Sequence, residues 1–393
     1  MELTSQDTDS PTRNRTTAGI HHEEEENENI TSAKGDNSNA GAASSTIDVL
    51  CICVSLGFGT LLGLLSRTGV IIVSNELLKT ELSGIVWTNF VACFCMGLFV
   101  KTSSIFELPK THNVYMGLTT GYCGTFSSFS SAALELFDVA AGRIRQTPIQ
   151  NSTESSHETT PILIGKNLSN FAGSAFVHIG LSFIGYHLGE TTAMLISRDV
   201  GRGFLQGCRY HSLSLKIAAI SVLSMMIISS LLETYFFRTS NYFIYISSAL
   251  LLALPGTSLR YYLSKKLNFD KRNNQKRIFP LGTLTANVLG SLVLATSTLL
   301  TLGIKPKKSL INFHNEMIIT DKLSCCILSG VGHGFCGALT TMSTFISELT
   351  VMENRIHLYF YSILTVLITV GSFTIVWGTY SWTVGYVMES PCL

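Results

Sequence analysis

Residues 334–345 read Gly-Phe-Cys-Gly-Ala-Leu-Thr-Thr-Met-Ser-Thr-Phe, and Glu348 follows. The stretch lies in an apolar run, where its glycine, cysteine and hydroxyl residues would interrupt a plain lipid-facing helix. Residues 121–132 read Gly-Tyr-Cys-Gly-Thr-Phe-Ser-Ser-Phe-Ser-Ser-Ala, and Glu135 follows at the same spacing. Gly, Cys, Gly, Ser and Glu share positions in these two stretches, which we call the boxes. Two boxes in one chain predict an internal repeat.

The composition is that of a membrane protein. Charged residues make up 13% of the 393 residues, and apolar runs of about 20 residues recur along the chain. The net charge of +1 gives no electrostatic basis for nucleic-acid binding. No phosphate-binding loop, polar metal-ligand cluster or nucleophile–base spacing is evident, so the sequence does not indicate an enzyme. Cysteines within the apolar runs, including Cys325, are interpreted as packing residues.

We predict an all-α polytopic membrane protein with nine spans. The predicted spans are approximately Val49–Val73, Ser83–Val100, Tyr115–Val139, Phe171–Leu188, Leu213–Phe236, Tyr242–Leu263, Leu281–Leu302, Leu323–Thr350 and Leu358–Val376. The corresponding regions are a disordered cytoplasmic tail (1–45), a four-helix repeat (46–190), a linker with one span (191–240), a second four-helix repeat (241–380) and a short exterior terminus (381–393).

Other spans match between the repeats as well. The second and seventh spans each carry a glycine and, five residues later, an asparagine, which is Asn89 or Asn287. The first and sixth spans each carry Gly-x-x-x-Arg, which ends at Arg67 or Arg260. The fifth span, Leu213–Phe236, has no counterpart, so it is interpreted as a single linking helix.

The unmatched span determines the predicted topology. Four crossings return the chain to its starting side, so a fifth crossing makes the second repeat enter from the opposite side. The repeats are therefore predicted to be inverted. Lys and Arg are modestly more numerous on the N-terminal side, which predicts a cytoplasmic N-terminus and an extracellular C-terminus. The glycosylation sequon at Asn151 would then be exterior.

Several intramembrane polar residues are candidates for a permeation pathway. Asn89 and Asn287 can each donate an amide N–H to an anion, or can join helices by hydrogen bonds. Tyr361, Thr365 and Thr369 present hydroxyl groups on one helical face, although threonines also bond to their own helix.

Aromatic and charged residues provide further candidates. Phe129 and Phe345 are either packing residues or rings whose positive edges face an anion. Arg67 and Arg260 are expected near span ends, where they either extend to the membrane surface or form a basic vestibule. Glu135 and Glu348, grouped with the arginines in the vestibule, are expected to stabilise structure near the membrane ends rather than to carry protons.

These residues resemble a known family. The second box, the Gly-Thr-Leu-x-x-Asn of residues 282–287 and the Gly-x-x-x-Arg pairs are similar to the Fluc/CrcB fluoride channels. The two-repeat chain with its linking helix resembles the eukaryotic fluoride export proteins (FEX) of that family. The resemblance covers approximately residues 49–380.

The resemblance implies an antiparallel pseudo-dimer within one monomeric chain in the lipid bilayer. Each of two pores would use an asparagine, a track of hydroxyl groups and phenylalanines from both boxes. It also implies a central structural Na+ ion, held by backbone carbonyls where the third span of each repeat breaks. The matched positions for this ion are Gly124, Ser127, Gly337 and Thr340.

Departures from the family pattern distinguish the two predicted pores. The family's box has two phenylalanines three residues apart. The first repeat has Phe129 and Ala132 at these positions, and the second has Met342 and Phe345. One pore would then contain Phe129 and Phe345, and a degenerate pore would contain Met342 and Ala132.

The hydroxyl stripe differs in the same direction. Thr283 faces Ile85 in the alignment of the repeats. Aligning Gly189 with Gly378 places Ala172, Phe176 and Gly180 opposite Tyr361, Thr365 and Thr369. We therefore predict one conducting pathway and one vestigial pathway, without assigning either asparagine to the working one.

The resulting hypothesis is a passive, selective channel that exports cytosolic fluoride across the plasma membrane. One alternative is a proton-coupled exporter of fluoride or a small molecule, which needs a titratable group near mid-membrane. Another is a membrane scaffold in which both pores have decayed.

Overall fold

The computed structural model describes residues 50–80, 82–107, 112–143, 160–196, 220, 224, 241–270, 275–276, 279–306 and 316–387. The predicted tail and the sequon at Asn151 lie outside these ranges, as does the linking span Leu213–Phe236 apart from Ile220 and Ser224. The described residues from Cys51 onward form one body.

The described part of the body is almost entirely helical. In the first repeat the helices are α1 (Leu50–Glu76), α2 (Gly84–Ile105), α3 (113–126), α4 (Phe129–Ala140) and α5 (Thr160–Leu195). In the second they are α6 (Asn241–Leu267), α7 (Leu281–Leu302), α8 (322–339), α9 (Met342–Val351) and α10 (Arg355–Thr383). A two-residue antiparallel pair, β1 (Phe269–Asp270) with β2 (Gln275–Lys276), follows α6.

Six segments of the described chain are long and apolar enough to cross a membrane. They are Leu50–Glu76, Gly84–Ile105, Ile164–Leu195, Leu281–Leu302, Lys322–Val351 and Arg355–Thr383. The predicted spans Tyr115–Val139 and Tyr242–Leu263 are also helical, as α3–α4 and α6, but are not among the six. The fourth predicted span, Phe171–Leu188, is shorter than α5, because that helix begins at Thr160 and ends at Leu195.

Each box contains a helix break. α3 ends at Phe126, and the backbone is extended at Ser127 (ψ 155°) and Ser128 (φ −141°) before α4 begins. α8 ends at Leu339, and Thr340 (ψ 156°) and Thr341 (φ −153°) repeat this geometry before α9. The reason is local, because a hydroxyl residue in each extended pair caps the next helix.

The caps and the turns that precede the breaks are equivalent in the two repeats. Ser128 Oγ accepts a hydrogen bond from Ser131 N (3.2 Å), and Thr341 Oγ1 accepts one from Thr344 N (3.2 Å). A π-helical turn lies just before each break, at Gly117–Cys123 and at Val331–Cys336. Such turns leave backbone groups out of the α-helical register, where side chains can reach them.

Glycines bring the helices of each repeat into close contact. A Cβ atom at Gly63 in α1 would overlap the Tyr122 carbonyl, and one at Gly256 in α6 would overlap the Phe335 carbonyl. Between the repeats, the Thr60 hydroxyl of α1 donates to the Thr257 hydroxyl of α6 (2.9 Å).

The two repeats exchange elements across their interface. Within the repeats, α2 packs along α5, and α7 packs along α10. Between the repeats, α4 packs against α7 and α10, whereas α9 packs against α2 and α5. Two surfaces of mixed origin result, one on each side of the central boxes. We call the first the α4 pathway and the second the α9 pathway.

Candidate functional site

The two box phenylalanines meet in the α4 pathway. Phe129 begins α4 and Phe345 lies in the first turns of α9. Their ring centroids are 5.1 Å apart and the rings are nearly perpendicular, with an interplanar angle of 78°. The Phe345 ring also lies 5.4 Å from the Tyr361 ring of α10. The structure therefore brings together three predicted pore residues from two repeats.

A glutamate joins the same group of residues. Thr283 Oγ1 of α7 donates to Glu348 Oε1 (2.6 Å), and the Tyr361 hydroxyl donates to Glu348 Oε2 (3.2 Å). Asn268 Nδ2 also lies within donating distance of Oε1 (3.4 Å). Glu348 thus connects α7, α9 and α10 and holds two predicted pore hydroxyls in position.

The hydroxyl stripe on α10 is buried. Thr365 donates to the carbonyl of Tyr361 (2.7 Å), and Thr369 donates to that of Thr365 (2.8 Å). This is the helix-bonded arrangement that the sequence left open. In this arrangement the hydroxyl protons face the helix backbone, so these oxygens present lone pairs to the pathway. Each hydroxyl must rotate to donate to an anion.

Both predicted pore asparagines span the helix break of their own box. Asn89 Oδ1 accepts from Ser128 N (2.9 Å), and its Nδ2 donates to Ser128 O (3.3 Å). Asn287 Oδ1 accepts from Thr341 N (2.9 Å), and its Nδ2 donates to Thr341 O (3.4 Å). Each amide therefore stabilises a break and retains a second N–H. Asn287 shares α7 with Thr283, so it belongs to the α4 pathway.

The predicted degenerate pair lies in the same buried hydrophobic cluster as Phe129 and Phe345. Met342 and Ala132 are both buried. In the first repeat, Glu135 Oε2 accepts from Ser83 Oγ (2.7 Å) and lies 3.1 Å from His178 Nε2 of α5. This contact is the counterpart of the Glu348–Tyr361 contact, with an imidazole in place of the phenol.

That equivalence corrects the predicted alignment of α5 with α10. Matching His178 to Tyr361 matches Ser182 and Tyr186 to the two threonines, and these three α5 residues are all buried. Phe176, which the glycine-based alignment had placed opposite Thr365, is 77% exposed, and Ala172 is exposed too. The first repeat therefore keeps a polar stripe. The spacing of residues 178, 182 and 186 was the sequence signal that the glycine alignment missed.

The two arginines lie at the centre of the structure. Arg67 is 1% exposed and Arg260 is 2% exposed, so the vestibule position expected near the span ends is wrong for both. Arg67 donates to Thr125 O (3.1 Å) and to His333 O. Arg260 donates to Thr120 O. Carbonyls at the π-helical turns and at a helix end accept hydrogen bonds from both guanidinium groups. Among the described residues, Nε of each arginine and Nη1 of Arg260 have no hydrogen-bond partner.

The arginines reach across to the opposite repeat. A Cβ atom at Gly337 would overlap the guanidinium of Arg67, and one at Gly124 would overlap that of Arg260. Because Arg67 belongs to the first repeat and Gly337 to the second, the two contacts are exchanged in an isologous manner.

The hydroxyl side chains at the predicted Na+ positions link the two breaks directly. Ser127 Oγ accepts from Met342 N (3.2 Å) and Ser343 N (3.0 Å). Thr340 Oγ1 accepts from Ser130 N (3.1 Å) in the other direction. These hydrogen bonds cap one repeat's helix with the other repeat's side chain.

The surroundings do not fit a Na+ ion. Backbone carbonyls are suitable ligands for Na+. In a continuous helix the amides of Ser128 and Thr341 would donate to the carbonyls of Gly124 and Gly337, but here they donate to asparagine side chains. However, a guanidinium lies directly against each of these glycines. Within the described residues, neither arginine has a carboxylate at ion-pair distance. A third positive charge in this buried region would be strongly disfavoured.

A cation that was not among the predicted site residues, Arg143, lies at the ends of α4 and α10. The Cζ of Arg143 lies 4.9 Å from the ring centroids of Phe137 and Trp377 and 4.7 Å from that of Tyr386. Its Nη1 forms an ion pair with Asp138 Oδ1 (3.3 Å). These contacts join the end of α4 to the end of α10. In the sequence, the only indication of them was the short spacing between Asp138 and Arg143.

Comparison with known proteins identifies relatives over most of the chain. A family model described as CrcB-like protein, Camphor Resistance (CrcB), matches residues 54–189 and 247–380. Fluoride export protein 1 of Candida albicans is 32% identical over 336 residues, which cover 83% of this chain and 79% of that protein. Fluoride export protein 1 of Saccharomyces cerevisiae is 28% identical over 341 residues, 77% of this chain and 85% of that protein.

A bacterial relative matches a shorter region. Fluoride-specific ion channel FluC 2 of Prochlorococcus marinus is 32% identical over 85 residues, which cover 21% of this chain and 63% of that protein. No solved structure matches the chain. The two segments matched by the family model correspond to the two repeats.

Proposed function

The chain belongs to the CrcB family, and we propose that it is a passive, selective channel that exports fluoride. The observation that carries this proposal is the meeting of Phe129 and Phe345 beside Tyr361, in a chain whose relatives are named fluoride export proteins. The family membership also argues for a transporter rather than an enzyme.

The residues of the α4 pathway suit a small, strongly hydrated anion. Fluoride gives up water only if donors or positive ring edges replace it at each step. The second N–H of Asn287, the rotatable hydroxyls of Thr365 and Thr369, and the edges of two perpendicular rings supply such groups. Glu348 holds Tyr361 and Thr283 in place.

The driving force requires no coupling to another ion. Fluoride enters cells as neutral hydrogen fluoride and ionises inside, and a negative-inside membrane potential then drives the anion outward. This role is best served at the plasma membrane, with the N-terminus cytoplasmic and the C-terminus extracellular.

We further propose nine spans arranged as two inverted repeats, so that one monomeric chain acts as a pseudo-dimer. The exchanged contacts of Arg67 with Gly337 and Arg260 with Gly124 support a two-fold relation between the repeats. Cys325, near the start of α8, is disulfide-bonded rather than a simple packing residue. Because disulfides persist outside the cytosol, this bond supports an extracellular start of α8, as the topology requires.

One working and one vestigial pathway remain our proposal, with Asn287 serving the working one. The aromatic pair supports this asymmetry, since Phe129 and Phe345 meet while Met342 and Ala132 replace them elsewhere. The hydroxyl stripe does not distinguish the two pathways, because α5 has a polar face of its own.

The alternative is a proton-coupled exporter. The contact between Glu135 and the buried His178 favours it, since a coupled exporter needs ionisable groups within the membrane. A scaffold without transport is the remaining candidate.

Efflux from liposomes distinguishes these functions. Purified full-length protein is reconstituted with internal fluoride, and a potassium gradient with valinomycin sets the potential. A channel gives fast, potential-driven loss of fluoride without loss of chloride and without need of a proton gradient. Slow efflux that follows a proton gradient supports the exporter, and folded protein without efflux supports the scaffold.

A further inference from the structure

Two fixed cations lie where the helices of the boxes break. Arg67 and Arg260 each follow a glycine by one helical turn, in α1 and α6. The glycine lets its helix approach the broken helix of the same repeat, and the arginine then extends to the box of the other repeat. The sequence Gly-x-x-x-Arg therefore positions a guanidinium at the molecular centre twice.

The groups that receive these cations are backbone carbonyls. Thr125 O lies in the last turn of α3, where helix carbonyls lack partners and carry a partial negative charge. Thr120 O and His333 O lie at matching places in the two π-helical turns and accept from opposite arginines. Ends of broken helices thus present oxygen atoms of the kind that would coordinate a cation.

We propose that the guanidinium groups of Arg67 and Arg260 take the place of a central Na+ ion, so that the fold needs no bound Na+. Arg67 donates to a carbonyl at the first break and to one in the second π-helical turn, and Arg260 donates to one in the first π-helical turn. Both guanidinium groups lie against the glycines assigned to such an ion. They are covalently attached, so the centre of the protein is assembled whatever the salt composition. This inference rests on the packing and not on fluoride transport.

Thermal unfolding tests it without any measure of transport. The purified full-length protein is melted in sodium chloride and in N-methyl-D-glucamine chloride at matched ionic strength. We expect the same melting temperature in both salts over a full titration. A saturable increase in melting temperature that only Na+ produces would overturn the proposal, because it would show Na+ bound beside the arginines.

A variant provides the converse test. Arg67→Ala removes one guanidinium and leaves its carbonyl partners, so we expect a lower melting temperature that Na+, but not N-methyl-D-glucamine, raises again. Arg355→Ala, at an exposed arginine that begins α10, is the control and should behave like the unmodified protein. An Arg67→Ala protein that folds but shows no Na+ response would contradict the proposal. If that variant does not fold, Arg260→Ala and the titration of the unmodified protein decide the matter.

Discussion

The matched asparagines allow a sharp test of the pathway assignment. Asn89 and Asn287 are fully buried and bond in the same way to the break of their own box. Replacing either by aspartate keeps its shape and keeps the oxygen that accepts from Ser128 N or Thr341 N. The change removes the amide donor and introduces a carboxylate. The two variants therefore share one structural cost but differ in the pathway they alter.

The expected magnitude follows from this geometry. The lost hydrogen bonds are long, 3.3 Å for Asn89 and 3.4 Å for Asn287, so each costs about 1 kcal/mol. Each variant also buries a carboxylate without a cation, which costs about 3–5 kcal/mol more, and this cost is shared by the two variants. A carboxylate about 5 Å from a passing anion costs about 3 kcal/mol at an effective dielectric constant of 20. That energy corresponds to about a hundredfold slower permeation.

The assay is fluoride efflux from liposomes at equal amounts of folded protein, checked by gel filtration and by thermal unfolding. We expect Asn287→Asp to lower the efflux rate by about a hundredfold. Asn89→Asp should retain most of the rate. Equal losses in both variants, or a loss only with Asn89→Asp, would refute the assignment of the working pathway to α4, α7 and α10.

Three further predictions follow from packing. Phe345→Ile removes the ring that meets Phe129 and should greatly reduce fluoride efflux, whereas Met342→Ile should not; equal effects on efflux would contradict a single working pathway. Gly337→Ala inserts a methyl group against a guanidinium and should destabilise the protein by about 1–3 kcal/mol in thermal unfolding. Gly371→Ala, at an open position, should be neutral, and a neutral Gly337→Ala would argue against the close contact. Arg143→Gln loses an ion pair and three ring contacts and should lower the melting temperature, with no change expected in fluoride-over-chloride selectivity; a selectivity change would assign that end of the pathway a filtering role.

The repeats and their breaks could be predicted from the sequence because both depend on local chemistry. Ser128 and Thr341 supply hydroxyl groups that cap the helix following each break, and this preference acts over a few residues. The departures from the two-phenylalanine pattern also predicted that Phe129 and Phe345 would share one pathway. That prediction required only the family's pairing rule and the residues at four positions.

The positions of the charged groups could not be predicted in this way. Arg67 and Arg260 are near span ends by residue count, yet they lie at the centre, because glycine contacts and π-helical turns expose carbonyls that can solvate them. These carbonyls belong to other helices, α3 and α8, so the sequence around each arginine does not contain them.

The rotation of a helix about its own axis could not be predicted from the sequence either. In α5, Phe176 and His178 are two residues apart, and a rotation of the helix about its axis decides which of them is buried. His178 is the buried one because it contacts Glu135, which lies on a different helix, α4. Residue spacing determined which side chains share a face in α5 and α10. Contacts between helices decided which face looked inward, because burial of a polar stripe depends on the partners that the fold brings to it.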